Sequence, residues 1–316
     1  MDSTVEILLS TFNGAKYLRE QLDSIIQQDY QYWKLIVRDD GSTDSTLEIL
    51  NEYIKKYPDK ISLIKDIEGN LGHSNSFSKL LSSSTADFVM YCDQDDLWYP
   101  SKVSTMLSKM LAEGKHNPSL PLVVFSDIHV ADSELNIISD SFLDKVHYRN
   151  DRGQQVFFLR NYVPGCNIMF NRSLIKQALK TNNIVKQHDH WLLMVCSIAG
   201  KIVCINTPLM KYRIHDNNTI GYFQPSYSFA DDLILFFKTI FKYGFRNKKY
   251  RESLHINNIQ QVENICARIS SSKSKEAEYL LNIYESNFFS RKARNITKPY
   301  ILETSSLRQL TYIICF

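Results

Sequence analysis

The stretch VEILLSTFNG at residues 5–14 joins a short apolar run to a polar turn that ends in glycine. After it, the spacing of Leu18, Leu22 and Ile25 predicts a helix over residues 17–27. A β-rich run, a turn and an amphipathic helix together form the building unit of a parallel sheet with helices on its faces. This opening stretch therefore predicts an α/β fold.

The same alternation continues through roughly the first hundred residues. Further strands are predicted at residues 35–37, 61–64 and 88–91, and further helices at residues 46–56 and 76–81. Repeated βα units predict a Rossmann-like, doubly wound and mostly parallel sheet with flanking helices. Because such sheets bind ligands beyond the carboxyl ends of their strands, the residues just after each strand are expected to hold the chemistry.

The rest of the chain is expected to complete this domain and to add a tail. Strands are predicted at residues 122–125, 167–170, 201–205 and 209–212, with a helix at residues 190–198 and a GYFQP break at residues 221–225. We expect one domain over residues 1–222, with halves at about 1–120 and 121–222. Residues 223–316 are predicted to form a helical C-terminal region.

The composition is typical of a globular protein. Apolar residues make up 44% of the chain and charged residues 22%, and the net charge of +3, with both signs mixed, argues against a nucleic-acid partner. The six cysteines form no CxxC pair and lie mostly in apolar runs, which favours reduced, buried thiols in a cytoplasmic protein. Neither a secretory leader nor a transmembrane helix is expected.

Polar turns follow the first two predicted strands. The turn with Ser10 and Phe12 is able to hold a ribose or a base edge, or is a simple glycine turn. The stretch RDDGSTD at residues 38–44 holds neighbouring carboxylates that repel each other unless hydrogen bonds satisfy them. A nucleobase or ribose would supply those bonds, and the alternative is a solvated acidic turn that caps the next helix through Asp44 or Ser45.

The stretch CDQDDLW at residues 92–98 places three carboxylates directly after an apolar strand. Acids gathered at such a point are costly without a cation. Hard oxygen ligands suit Mg²⁺ or Mn²⁺, which would bridge to a diphosphate. A divalent metal site is therefore favoured over a solvated loop.

Two later clusters are each open to two interpretations. In QHDHWLL at residues 187–193, Asp189 begins a predicted helix and is either an N-terminal cap or a base for an attacking hydroxyl, tuned by His188 or His190. In KYRIHDNNT at residues 211–219, Arg213 and His215 are predicted to share one face of a strand. They suit a pyrophosphate and a metal ion, or belong to an ordinary surface loop.

In this order, and together with NLG at residues 70–72, the motifs resemble those of glycosyltransferase family 2, whose members share the GT-A fold. The resemblance covers roughly the first 220 residues. It implies an enzyme that moves a sugar from a nucleotide donor to a hydroxyl. The half at about 1–120 would bind the nucleotide sugar, and the half at 121–222 would bind the acceptor.

The resemblance assigns donor-side roles to single residues. Ser10, Phe12 and Asp40 would line the nucleobase pocket, with Phe12 stacking on the base, and Asp93 would contact the ribose. The acidic motif followed by Pro100 looks most like the rhamnosyltransferase-like branch that builds bacterial surface polysaccharides. That similarity implies dTDP-L-rhamnose as donor, and a UDP-hexose is the alternative.

The resemblance also implies a metal-dependent, inverting reaction. Asp95 would bind Mg²⁺ or Mn²⁺, His215 would complete the metal or phosphate shell, and Asp189 would be the base of a single displacement. The residues expected on the acceptor side are Gly165, Cys166, Asn167, His188 and Trp191.

Two segments of the C-terminal region are candidates for contact with the catalytic domain or with a partner. Apolar residues at helical spacing over 233–241, with basic residues on and after them, predict a helix that packs on the catalytic domain. The alternative is a peripheral contact with the inner face of the cell membrane, which would suit a lipid-linked saccharide acceptor as well as an oligosaccharide. The final YIICF at residues 312–316 predicts a buried helix end or a homodimer contact.

Two rival classes fit the sequence less well. A sugar-nucleotide nucleotidyltransferase also uses a parallel sheet and metal-binding acids, but it opens with a glycine-rich phosphate loop and a basic residue, which residues 10–14 lack. A non-catalytic carbohydrate-binding or scaffold protein has no need of both Asp95 and Asp189.

Overall fold

The computed structural model describes residues 3–146, 148–150, 153–154, 157, 161–180 and 187–216. The predicted helical region over residues 223–316 and the boundary near residue 222 lie outside these residues. The same holds for the membrane contact and the homodimer contact expected within that region. These expectations stay predictions.

The first half alternates strands and helices as predicted. Its elements are β1 (Val5–Thr11), α1 (Ala15–Ile26), β2 (Trp33–Asp39), α2 (Thr46–Lys56), β3 (Ile61–Leu63), α3 (His73–Ser83) and β4 (Phe88–Cys92). Strand β1 is buried along its whole length, and α1 buries Leu18, Leu22 and Ile25. A strand that is apolar on both faces is what a sheet covered by helices on both sides requires.

The second half is more mixed. Its elements are β5 (Leu97–Trp98), α4 (Lys102–Gly114), β6 (Leu122–Ala131), β7 (Ile137–Ser139), α5 (Phe142–Lys145), β8 (Ile168–Asn171), α6 (Arg172–Lys180), α7 (His188–Ala199) and β9 (Lys201–Arg213). The two strands predicted over residues 201–212 are one continuous strand. Pro208 interrupts their apolar pattern. The pairing with β6 shifts register at this point: Ile205 lies opposite Ser126, and Pro208 lies opposite the next residue of β6, Asp127.

The nine strands within the described residues form one sheet in the order β3-β2-β1-β4-β8-β6-β9-β5, with β7 paired to β6. Strands β3, β2, β1 and β4 are parallel. Strand β8 is antiparallel to both β4 and β6, whereas β6 and β9 are parallel. The predicted α/β sheet is therefore parallel in its first half and mixed in its second.

The register of the parallel strands brings the predicted motifs to one edge of the sheet. Thr11 lies opposite Asp39, and Leu9 lies opposite Cys92. The loops after β1, β2 and β4 consequently leave the sheet side by side, at the edge where α/β proteins bind ligands.

The four cysteines within the described residues are free thiols, as predicted. Cys92, Cys166 and Cys196 are buried, and Cys204 is partly buried. Burial raises the pKa of the Cys92, Cys166 and Cys196 thiols, which makes them unreactive. Across the part of the chain that the structure describes, no helix is long and apolar enough to cross a bilayer.

Candidate active site

A cleft of about 780 Å³ opens at the carboxyl edge of the parallel strands. Loops after β1, β2 and β4, the start of α3, the start of α7 and the end of β9 line it. It contains both acids on which the prediction depends, Asp95 and Asp189. The sequence-predicted residues that line the cleft are Ser10, Phe12, Asp40, Asp93, Asp95, Gly165, His188, Asp189 and His215.

On one side of the cleft, Phe12 offers a free aromatic ring. Phe12 is 47% exposed at the rim of the cleft. Its backbone is held by the carboxamide of Gln94, which accepts a hydrogen bond from Phe12 N (2.9 Å) and donates one to Phe12 O (3.0 Å). An exposed ring on a fixed backbone suits stacking on a flat ligand.

Asp40, which lines the same cleft, is satisfied mainly by the protein. Its Oδ1 accepts from Arg38 Nη1 and from the N–H of Leu71 (2.8 Å), and its Oδ2 accepts from the N–H of Gly72 (2.8 Å). The expected ligand hydrogen bonds are thus not needed to hold this carboxylate. One acceptor position on Oδ2 is left for a ligand, because a carboxylate oxygen has two lone pairs. The hydroxyl of Ser10 donates to Ser76 (2.6 Å).

The acidic loop after β4 faces two histidines. Asp95 Oδ2 lies 2.9 Å from His215 Nε2, and Asp93 Oδ1 lies 3.6 Å from His73 Nε2. Burial alone would raise the pKa of Asp93, but the His73 imidazole, together with His188 and Cys166, holds that pKa below its ordinary value. Burial likewise opposes protonation of His73, yet Asp93, Asp189 and Asp95 together raise the pKa of its imidazole.

Within the described residues, two sets of side chains are candidates for a metal ion. Asp93, Asp96 and Cys166 have donor atoms within 4.8 Å of one another. However, Asp96 and Cys166 are fully buried, and burial raises the pKa of both groups well above their ordinary values. Neither side chain lines the cleft, and a thiol is a poor ligand for a hard cation. The pair of Asp95 and His215 lines the cleft and is the better fit.

Arg213 does not line the cleft, which corrects the expectation that it contacts the nucleotide sugar. It is buried beneath the acidic loop, where Nε donates to Asp95 O (2.8 Å), Nη2 pairs with Glu20, and the guanidinium lies 4.3 Å from the centre of the Tyr17 ring. The expectation that Arg213 and His215 share one strand face fails because β9 ends at Arg213. Arg213 fixes the backbone of Asp95 instead.

Opposite the acidic loop, Asp189 lies in the first turn of α7. Its Oδ2 accepts from Asn161 Nδ2 (2.9 Å) and its Oδ1 accepts from the N–H of His190 (2.7 Å). The partial positive charge at a helix N-terminus stabilises an ionised carboxylate there. Gly165 packs against it: a Cβ at that position would lie 3.1 Å from Asp189 Cβ and 3.0 Å from His188 Nε2.

His188 forms the floor of this side as a neutral ring. It stacks on Phe77 with 4.2 Å between ring centroids and 7° between planes. Burial lowers its pKa to about 4. Neither ring nitrogen has a hydrogen-bond partner among the described residues.

The other predicted acceptor-side residues are Cys166, Asn167 and Trp191, and all three lie behind the wall of the cleft. Asn167 is fully buried, and its Oδ1 accepts from Lys102 Nζ (3.0 Å) and Ser126 Oγ (2.7 Å). The short 3₁₀ turn at Gly165–Asn167 presents only its first residue to the cleft. Direct contact of these three side chains with an acceptor is therefore not supported by their placement.

Three residues of the site were not singled out from the sequence. His73 directly follows the NLG motif, and Gln94 lies between Asp93 and Asp95. Their positions next to predicted motif residues are the sequence feature that could have identified them. Asn161, which holds Asp189, had none, because its partner is 28 residues away along the chain.

The combination of a parallel sheet, an acidic loop and a helix-borne carboxylate in one cleft is typical of enzymes that bind a nucleotide at the strand ends. The family model named Glycosyl transferase family 2 matches residues 6–179, so the chain belongs to glycosyltransferase family 2. It is similar to the dTDP-rhamnosyl transferase RfbG of Shigella flexneri, with 25% identity over 67% of this chain and 73% of that protein. It is also similar to the putative teichuronic acid biosynthesis glycosyltransferase TuaG of Bacillus subtilis, with 29% identity over 68% of this chain and 80% of that protein.

Among solved structures, the fold resembles that of the mannosyltransferase PcManGT from Pyrobaculum calidifontis, which was solved with GDP-Man and Mn²⁺. The TM-score is 0.51 at 17% sequence identity, covering 99% of this chain and 84% of that one. At this identity the likeness concerns the fold alone, and it confirms the predicted GT-A fold. The protein is thus a glycosyltransferase of the GT-A type.

Proposed function

We propose that this protein transfers a sugar from a nucleotide diphosphate donor to a hydroxyl of a bacterial surface polysaccharide, with a divalent metal and with inversion at the anomeric carbon. One observation carries the proposal: the Asp95–His215 pair and Asp189 line the same cleft. A donor held at the first would present its sugar toward the second.

The donor's nucleoside would bind beside β1 and β2. The exposed ring of Phe12 provides a stacking surface, and Asp40 Oδ2 keeps an acceptor position for a base N–H or a ribose hydroxyl. Asp93, held by His73, is the candidate contact for the ribose. This arrangement favours a pyrimidine or purine nucleotide over a ligand without a flat ring.

The metal would be held by Asp95 and His215. A carboxylate oxygen and an imidazole nitrogen are both ligands that Mn²⁺ accepts, and Mg²⁺ accepts the carboxylate. A bound divalent cation would supply positive charge where negative charge develops on the leaving diphosphate. Arg213 contributes by fixing the backbone carbonyl of Asp95, so that the loop is already in place before ligand binds.

Asp189 would act as the base. The bonds from Asn161 and from the N–H of His190 fix the carboxylate at the start of α7. It would take the proton of the acceptor hydroxyl as that oxygen attacks the anomeric carbon and the nucleotide diphosphate leaves from the opposite face. General-base help of this kind is typically worth about 10²- to 10⁴-fold in rate.

The donor and the acceptor follow from the relatives and remain part of the proposal. The similarity to RfbG supports dTDP-L-rhamnose as donor, with a UDP-hexose as the alternative. The name of TuaG, which refers to teichuronic acid biosynthesis, supports a cell-surface polysaccharide as the product.

The test combines a donor panel with three variants. Wild-type protein with Mn²⁺ should release nucleotide diphosphate from one nucleotide sugar, and should release little without metal. Asp189→Asn should keep donor affinity and lose nearly all transfer, whereas Asp95→Ala should lose metal-dependent donor binding in calorimetry. The matched control is Asp59→Asn, an exposed acid outside the cleft, which should behave as wild type. Normal turnover by Asp189→Asn would exclude it as the base.

A further inference from the structure

Gln94, which lies between Asp93 and Asp95, connects two neighbouring loops that line the cleft. Its carboxamide both accepts from Phe12 N (2.9 Å) and donates to Phe12 O (3.0 Å). This is the pattern by which one strand pairs with another, here supplied by a side chain. It joins the loop that holds Asp93 and Asp95 directly to the loop after β1.

Phe12 depends on this connection because the sheet no longer holds it. Strand β1 ends at Thr11, and the pairing of β1 with β2 ends there too. Phe12 is 47% exposed, so packing holds its ring only in part and the direction of the ring depends on its backbone. On the far side, Asn13 N donates to Ser42 Oγ (2.9 Å), which fastens the next residue but leaves the Phe12 amide and carbonyl to Gln94.

Gly14 provides independent support for a site built around the carboxamide. Its backbone φ is −100°, which any residue adopts, so the glycine is not required by the chain's conformation. A Cβ at this position would lie 2.1 Å from Gln94 Oε1 and 2.4 Å from its Cδ. The missing side chain makes room for the Gln94 amide.

We propose that Gln94 is a positioning residue for donor binding, which clasps the backbone of Phe12 and so fixes the stacking ring relative to the metal-binding loop. The inference rests on the proposed function, since it assumes that a nucleotide occupies this cleft. Affinity for the base depends on a residue that does not contact the base, and the contribution of Gln94 passes through Phe12.

The experiment measures binding of dTDP and of UDP in the presence of Mn²⁺ by calorimetry, and melting temperature without ligand. Gln94→Met keeps similar volume and cannot form the clasp. It should weaken binding roughly five- to tenfold, because two backbone hydrogen bonds that order the loop are lost. Phe12→Ala should weaken binding at least as much, and adding Gln94→Met to it should cost little more.

A second pair of variants tests the clasp from the other side. Gly14→Ala places a methyl group where the Gln94 amide lies, so it should weaken binding about as much as Gln94→Met. In a Gln94→Ala background the same change should cost nothing further, because the amide is already gone. The matched control is Gln154→Ala, which removes a similar clamp on the backbone of Ser197, Gly200 and Ile202 outside the cleft. It should lower the melting temperature and leave nucleotide affinity unchanged.

Unchanged nucleotide affinity in Gln94→Met would overturn the positioning role. So would a double variant whose loss of affinity equals the sum of the losses in Gln94→Met and Phe12→Ala, because Gln94 would then act through the metal-binding loop alone. Wild-type protein that binds neither nucleotide would refute the proposed donor-binding function, and the inference with it.

Discussion

Replacement of His188 by phenylalanine should make the protein more resistant to acid. His188 is 5% exposed, stacks on Phe77, and is held neutral because burial lowers its pKa from 6.5 to about 4 against the opposing effect of the Asp189 carboxylate. In the unfolded chain the imidazole is in water and is protonated near pH 6.5. Protonation therefore favours the unfolded state.

The sign and size follow from proton linkage. Between the two pKa values the unfolded state binds more protons, so stability is fully present above pH 6.5 and is lost as pH falls toward 4. The shift from 6.5 to about 4 corresponds to about 3.4 kcal/mol in total, of which about 2.5 kcal/mol is lost between about pH 7.5 and pH 4.5. Phenylalanine keeps the ring stack on Phe77 and has no proton to bind.

The assay is urea unfolding followed by tryptophan fluorescence at several pH values from 7.5 to 4.5. The free energy of unfolding of His188→Phe should fall by about 2.5 kcal/mol less than that of wild type over this range. His116→Gln, a change at an exposed histidine, is the control and should follow wild type. Parallel curves for wild type and His188→Phe would refute the conclusion that this histidine is buried in the neutral form.

Two further changes test the surroundings of the base. Asn161→Ala removes the hydrogen bond of 2.9 Å to Asp189 Oδ2, so it should lower kcat roughly tenfold and leave donor affinity unchanged. Transfer kinetics measure kcat and calorimetry measures donor affinity. An equal loss in kcat and in donor affinity would indicate a general structural role instead. Gly165→Ala introduces a Cβ 3.1 Å from Asp189 Cβ and 3.0 Å from His188 Nε2, so it should displace the base and lower kcat several-fold. A kcat of Gly165→Ala equal to that of wild type, in the same transfer assay, would show that the neighbouring residues accommodate the added methyl group without displacing Asp189.

Local patterns in the sequence were sufficient for the first half of the fold. The predicted helix over residues 46–56 has those same bounds in the structure, and each of the first four predicted strands is present. The convergence of residues near 10, 40 and 95 also followed from the sequence, because strands in a parallel sheet end at the same edge. Even so, the pattern did not predict α4 or the reversed direction of β8, which depend on where the chain returns across the sheet.

The sequence by itself determined which residues are able to act chemically, since the acids, histidines and aromatic residues of the cleft stand at strand ends and at a helix start. Only the tertiary structure decided which of them face the cleft. Arg213 turns inward to Glu20, which is 193 residues away, and Asn167 turns to Lys102, which is 65 residues away. Such pairings depend on long-range packing and on the hydrogen bonds that buried polar groups require, and neither is encoded in local spacing.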